Sequence, residues 1–180
     1  MSRRAGTLIV VLGGASSGKS RVALELAGTR RPRAFVATGQ ALDREMAERI
    51  RRHRASRSAD WVTAEVPVDV ASWVEKEGAR YRTIVLDCMT LWLSNLLGSG
   101  LRRPAVFDAV SELLRVVRVV PARVVIVSNE LGMGLVPASR SARSFRDMAG
   151  RVNQQLVAAA DEVYLVVAGQ PLPVKRAGVR

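Results

Sequence analysis

Cysteine occurs once in these 180 residues, as Cys88, and histidine once, as His53. A single thiol excludes an internal disulfide framework, and no Cys-x-x-Cys or Cys/His spacing is available for a structural metal. A reducing cytoplasm is the setting expected of such a chain. Aromatic residues make up only 4%, too few for the stacking platform of a single-strand nucleic-acid binder. No apolar run approaches the length of a membrane-spanning helix. The apolar stretch behind the basic Met1-Ser2-Arg3-Arg4 runs straight into a glycine-rich turn, so it reads as a buried first strand and not a signal peptide. Acidic residues are in deficit, 16 against 28 basic, for a net charge of +12. The basic residues are spread along the chain, densest at 30–33, 49–57, 140–151 and 175–180. Without aromatics between them they do not make nucleic acid the expected partner; a site for polyphosphate accounts for part of the charge. Lysine is scarce too: Lys19, Lys76 and Lys175 stand alone among arginines. A lysine kept in such a chain marks a place where a compact point charge is wanted.

What is present is a globular composition, 48% hydrophobic, sufficient for one α/β domain over residues 1–180. Val/Ile/Leu runs at 7–12, 33–37, 83–87, 123–128 and 162–167 predict strands. Helical patterns cover 19–28, 41–54, 68–78, 106–119 and 141–159, with a short helix possible at 89–97. This alternation points to βαβ units and a parallel sheet covered on both faces. Leu42, Met46 and Ile50 share one face of the 41–54 helix, with Arg44/Glu48 and Glu45/Arg49 as solvent-side pairs. Phe145, Met148 or Ala149, Val152 and Leu156 form the inward stripe of 141–159. The stretch 98–104 reads as a loop, and the tail from Gln170 as part strand.

The sharpest motif is Gly13-Gly14-Ala15-Ser16-Ser17-Gly18-Lys19-Ser20, which fits G-x-x-x-x-G-K-S/T between a predicted strand and a predicted helix. Its glycines let backbone N–H groups turn in around phosphate oxygens. Lys19 reaches the outer phosphates, Ser20 offers a hydroxyl to Mg2+, and the helix N-terminus adds positive charge. Thr83-Ile84-Val85-Leu86-Asp87 has the form of the partner strand, apolar and ending in an acid that holds magnesium at the ligand edge of the sheet. The expected fold is therefore a P-loop NTPase (RecA-like) three-layer α/β fold with a mainly parallel central sheet.

Other residues leave alternatives open. Thr38 and Gly39 either touch nucleotide or only turn the chain, and Asp43 suits the cap of the next helix. His53 is either a nucleophile toward phosphorus or a packed or capping residue near an apolar face. Arg49, Arg51, Arg52, Arg54 and Arg57 form either a solvated face or a clamp for triphosphate. Asn129 or Glu130, at the end of the fourth strand, orients substrate or a metal-bound water. The apolar, glycine-bearing loop 131–137 suits a bulky ligand. Arg140, Arg143 and Arg146 follow at helical spacing, with Asp147 as a partner.

Several stretches together carry a resemblance: Gly13 to Ser20, Ala37-Thr38-Gly39, Asp43 to His53, Trp61 to Glu65 and Asp87 to Trp92. Ser128 to Pro137, Phe145 to Gln154 and Ala160 to Val163 complete it. The chain resembles the bifunctional adenosylcobinamide kinase / adenosylcobinamide-phosphate guanylyltransferase family of cobalamin biosynthesis, over nearly its whole length. The resemblance implies transfer of a terminal phosphoryl group from ATP or GTP to adenosylcobinamide, then of GMP from GTP to the adenosylcobinamide phosphate through a GMP-histidine intermediate. The catalytic residues it implies are His53 and Lys19. The implied nucleotide contacts are Gly13 to Ser20, Ala37, Thr38, Gly39, Arg54, Ala55, Ser56, Arg57, Glu65 and Asp87, with Ser20 and Asp87 on Mg2+. Two departures stand out: some members carry two adjacent histidines where this chain has Arg52-His53, and arginine often holds the Ser16 position. A trimer is implied as well. Trp61, Trp92 and Met133 are apolar candidates for the corrinoid, and a kinase alone or a regulatory nucleotide binder are the rival readings.

Overall fold

The apolar runs lie side by side in one seven-stranded sheet of order β3-β2-β4-β5-β1-β6-β7. The computed structural model describes residues 6–55 and 57–176, apart from the side chains of Arg49 and His53. The strands are β1 (Leu8–Gly13), β2 (Arg33–Ala37), β3 (Trp61–Glu65), β4 (Thr83–Asp87), β5 (Arg123–Asn129), β6 (Glu162–Val167) and β7 (Gln170–Lys175). The helices are α1 (Lys19–Ala27), α2 (Arg44–Ala55), α3 (Val70–Glu77), α4 (Met89–Gly98), α5 (Arg103–Val119) and α6 (Arg140–Ala159). Every strand pairing is parallel except β6 with β7. Because β5 lies between β1 and β4, the glycine-rich turn and Asp87 sit two strand spacings apart, about 10 Å.

Alternate residues of each central strand face opposite layers. Leu8, Val10, Ile84, Leu86, Val124 and Ile126 pack toward a large cluster that includes Val74, Trp92, Leu113, Val152 and Leu156. Ile9, Val11, Val85, Val125 and Val127 pack with Val22 and Ala23 of α1 on the other side. Each such side chain contributes about 1.5–3 kcal/mol on burial, so the sheet centre is the rigid part on which the site is mounted.

Several expectations shift. The helix expected from 41 begins at Arg44, because the Asp43 carboxylate accepts from Met46 N at 2.7 Å and caps it there. Leu42 is thereby left outside the helix and 82% exposed, not on its apolar face, and Glu48 pairs with Arg51. Helix α5 starts earlier than expected, with Pro104 in its first turn, where a missing N–H costs nothing; this shortens the predicted loop. The helix read at 89–97 is present as α4, with Trp92 and Leu93 buried. Strand β3 is not among the predicted strands at all. In β7, Pro171 and Pro173 lie on the border of the sheet.

Candidate nucleotide and phosphoryl-transfer site

Strand β1 delivers the chain to the glycine-rich turn, and the turn's shape follows from its side chains. A Cβ on Gly13 would come within 2.5 Å of Ser17 Oγ and 2.8 Å of the Val166 carbonyl, so only glycine fits. Gly18 sits at φ +89, a left-handed conformation that favours glycine. Ser17 N donates to Gly14 O at 3.3 Å. The buried Lys19 folds back so that its Nζ donates to Gly14 O at 2.9 Å. The β6–β7 turn braces the loop from outside: Gly169 N donates to Ser17 O at 2.8 Å, and Arg21 Nη2 donates to Gly169 O at 2.8 Å. Arg21 and Gly169 were not among the expected site residues, since strand pairing alone brings the turn here.

Two hollows meet at this loop. One, of about 490 Å³, is lined by Lys19, Ser20, Asp87, Cys88 and Asn129, by Met46, Ile50 and Arg54 of α2, and by Phe35, Thr63 and Glu65. The other, of about 680 Å³, is lined by Ser16, Ser17, Gly18, Arg21, Glu45 and Arg52. Lys19, Ser20, Phe35 and Arg57 belong to both.

The Arg57 guanidinium lies 3.8 Å from the Phe35 ring centroid, and its Nη2 donates to Thr63 Oγ1 at 3.3 Å. Burial lowers its pKa, with Asp87 opposing and Arg54 adding to the effect; the group stays cationic at neutral pH. Arg54 Nη1 lies 4.0 Å from Glu65 Oε1. Asp87 Oδ2 and Ser17 Oγ are buried without a hydrogen-bond partner, the condition of groups shaped to meet an ion or ligand. Burial, then the charge of Asp87, raises the pKa of Cys88, so this thiol remains protonated beside the cavity.

Among the expected contacts, the loop residues Ser16 to Ser20 line the hollows, with Gly13 buried beneath and Gly14 and Ala15 exposed at the tip. Ala37, Gly39, Arg54, Arg57, Glu65 and Asp87 also line the first hollow, while Ala55 is exposed at the end of α2. Thr38 is a correction. Its hydroxyl donates to Cys88 O at 2.8 Å and accepts from Cys88 N at 2.9 Å. It is fully buried, so this side chain ties the end of β2 to β4 and offers nothing to a ligand. Trp92 is another: it is buried in the core, with Nε1 donating to Val68 O at 2.6 Å. Trp61 packs against Phe35 and under Arg33. Ser56 and the His53 side chain lie outside the described residues; the His53 backbone belongs to α2, between Ile50 and Arg54.

Of Asn129 and Glu130, Asn129 is the one at the cavity. Its Nδ2 donates to Thr90 Oγ1 at 2.6 Å, and Asn153, held by Ser128, donates to its carbonyl at 3.1 Å. Glu130 instead accepts from Gly132 N at 2.6 Å. Among the described residues no group of three or more His, Cys, Asp or Glu gathers as a metal cage, and no helix is long and apolar enough to cross a membrane.

The comparisons with known proteins agree with this geometry. Residues 9–174 match the family model described as cobinamide kinase / cobinamide phosphate guanyltransferase. The bifunctional adenosylcobalamin biosynthesis protein CobU of Salmonella typhimurium is 44% identical over 93% of this chain and 99% of its own length. Its Escherichia coli counterpart is 42% identical over the same shares, and CobP of Pseudomonas aeruginosa is 41% identical over 92% and 96%. Among solved structures, a KaiC-like protein from Pyrococcus horikoshii gives a TM-score of 0.54 at 12% identity, covering 89% of this chain and 71% of that one. The P4 protein of bacteriophage phi6, solved with ADP, gives 0.51 at 19% identity, covering 97% and 55%. A type III secretion ATPase gives 0.55 at 14%, covering 89% and 51%. These distant likenesses establish the P-loop NTPase fold.

Proposed function

Since the chain belongs to the cobinamide kinase / cobinamide phosphate guanyltransferase family, we propose that it carries out both transfers at the hollow between the glycine-rich loop, Asp87 and α2. In the first, the hydroxyl oxygen of the aminopropanol arm of adenosylcobinamide attacks the terminal phosphorus of ATP or GTP. The nucleoside diphosphate leaves and the hydroxyl proton passes to solvent. In the second, His53 attacks the α-phosphorus of GTP, the bond to pyrophosphate breaks, and a GMP-histidine forms. The phosphate oxygen of adenosylcobinamide phosphate then displaces the imidazole, giving adenosylcobinamide-GDP.

The observation that carries this reading is that α2, the helix holding the chain's only histidine, walls the cavity floored by Lys19, Ser20 and Asp87. The loop N–H groups and Lys19 grip the outer phosphates. Arg54 and Arg57 meet charge gathering on the leaving oxygens. Glu65 accepts two hydrogen bonds from the guanine edge. Asp87, with a buried oxygen lacking a partner, and the nearby Ser20 suit one divalent cation completed by phosphate and water. Such an ion, bound there, would neutralise polyphosphate charge. A trimer and a reducing cytoplasm belong to the same proposal. The exposed Leu172 and Val174 of β7 offer apolar surface for an interface, and the one free cysteine suits that compartment.

Incubation with α-labelled GTP followed by denaturation tests the reading. Acid-labile, base-stable label on the wild-type chain and none on His53→Ala, with phosphorylation retained, is the expected result. Label on His53→Ala would remove His53 from the mechanism. No label on either chain with phosphorylation intact would leave a kinase alone, the reading that Arg52, in place of a second histidine, would favour.

A further inference from the structure

The cavity is sized for one nucleotide. About 490 Å³ is the room of a single small-molecule site, and in the reading above the nucleotide takes it together with the adjoining hollow of about 680 Å³ along the glycine-rich loop. Cobinamide is a corrin macrocycle fringed with methyl and amide groups, and it has no room beside that nucleotide. Its aminopropanol arm must reach inward while the ring stays at the rim.

Two loops leave the sheet edge at which the cavity opens, one after β2 and one after β5. These strands flank β4, so the loop roots stand about 10 Å apart. After β2, Gln40 and Ala41 line the cavity, and the next residue, Leu42, is 82% exposed. After β5, Asn129 lines the cavity. Met133, Leu135 and Val136 then follow at 79%, 96% and 69% exposure. The second loop is fastened at both ends. Glu130 N donates to Gly13 O at 3.0 Å and Gly132 N to Glu130 Oε1 at 2.6 Å. At the far end Arg143 Nη1 donates to Pro137 O at 2.9 Å and Ala138 O at 2.6 Å. Between these ties three large apolar side chains face solvent, and clustered exposure of this kind marks a binding surface. The two tryptophans that the sequence offers for a ring are occupied, Trp92 in the core and Trp61 against Phe35 and Arg33.

We propose that Leu42, Met133, Leu135 and Val136 form a docking rim for the corrin ring, from which the aminopropanol arm passes Asn129 to the outer phosphate. The proposal rests on the two-transfer reading above and adds where its large substrate is held. Cobinamide affinity, measured by titrating the GTP-free protein with dicyanocobinamide, tests it in the double variant Leu135→Ser/Val136→Ser and in Leu42→Ser. The changes are on exposed positions, and thermal melting checks that the fold is kept. The expected result is a cobinamide Kd raised about tenfold or more in the double variant, with labelling by α-labelled GTP unchanged. Wild-type affinity in both variants would overturn the rim. So would an altered oligomeric mass with unaltered cobinamide binding, which would give the surface to a second copy of the chain. Failure of the parent reading shows separately, as a wild-type chain that neither takes up label nor binds cobinamide, and it takes this proposal with it.

Discussion

Asp87 ends its strand with one carboxylate oxygen buried and unpartnered, an arrangement that costs stability in the free protein and returns it when charge arrives. Asp87→Asn removes the carboxylate charge without breaking a hydrogen bond to the oxygen, so it is expected to melt at or slightly above wild type. It should lower kcat of both transfers by about 100-fold or more; steady-state rates of each half-reaction alongside a thermal melt check both halves of the statement. Thr38 shows the converse. It stands in the same stretch of sequence as Ala37 and Gly39, yet its hydroxyl is spent on the Cys88 backbone. Sequence position does not separate a residue that faces a ligand from one that holds the next strand in place.

At the scale of elements, the central strands and the turn between β1 and α1 are legible in the sequence because their determinants are local. A continuous Val/Ile/Leu run has few alternatives to a doubly covered strand, and the glycines and lysine of the turn carry their own geometry. Strand β3 is not legible. Trp61-Val62-Thr63-Ala64-Glu65 is short and mixed, and it becomes a strand by pairing with β2 at the sheet edge, which tertiary context decides. The stack of Arg57 on Phe35 and the brace of Gly169 on Ser17 escape the sequence for the same reason; the start of α2 does not, because the expected cap Asp43 sets it with one carboxylate worth about 1 kcal/mol. The β2–β3 edge has its own fastening. Asp60 receives Ser58 and Arg33 and lies 2.7 Å from Arg31 Nη2. The hydrogen bonds from Ser58 and Arg33, then the charge of Arg31, hold its pKa down to about 2. A carboxylate depressed in the folded state stabilises above its ordinary pKa, and that contribution is lost as pH falls through the depressed value. Asp60→Asn should thus melt below wild type at pH 7, and the gap should close as pH drops from about 4 toward about 2. Melting curves at both ends of that range test it; a gap independent of pH would contradict it.

For the whole molecule, ligand and fold are linked, because the site draws residues from α1, β2, α2, β3, β4, α4 and β5 at once. GTP at about 100 times its Kd should stabilise the chain by about 2.7 kcal/mol, a shift of several degrees in Tm. Lys19→Ala should abolish that shift in a thermal melt, and an undiminished shift would mean that the triphosphate sits elsewhere. The sheet's two borders differ in a way that bears on what the molecule can join. Along β7 two of six residues are prolines, which have no N–H to lend a newcomer. A stray extended peptide offered to that margin would find missing rungs, so neighbours must attach there through side chains, and crowding in a concentrated solution has no easy ladder along which to grow.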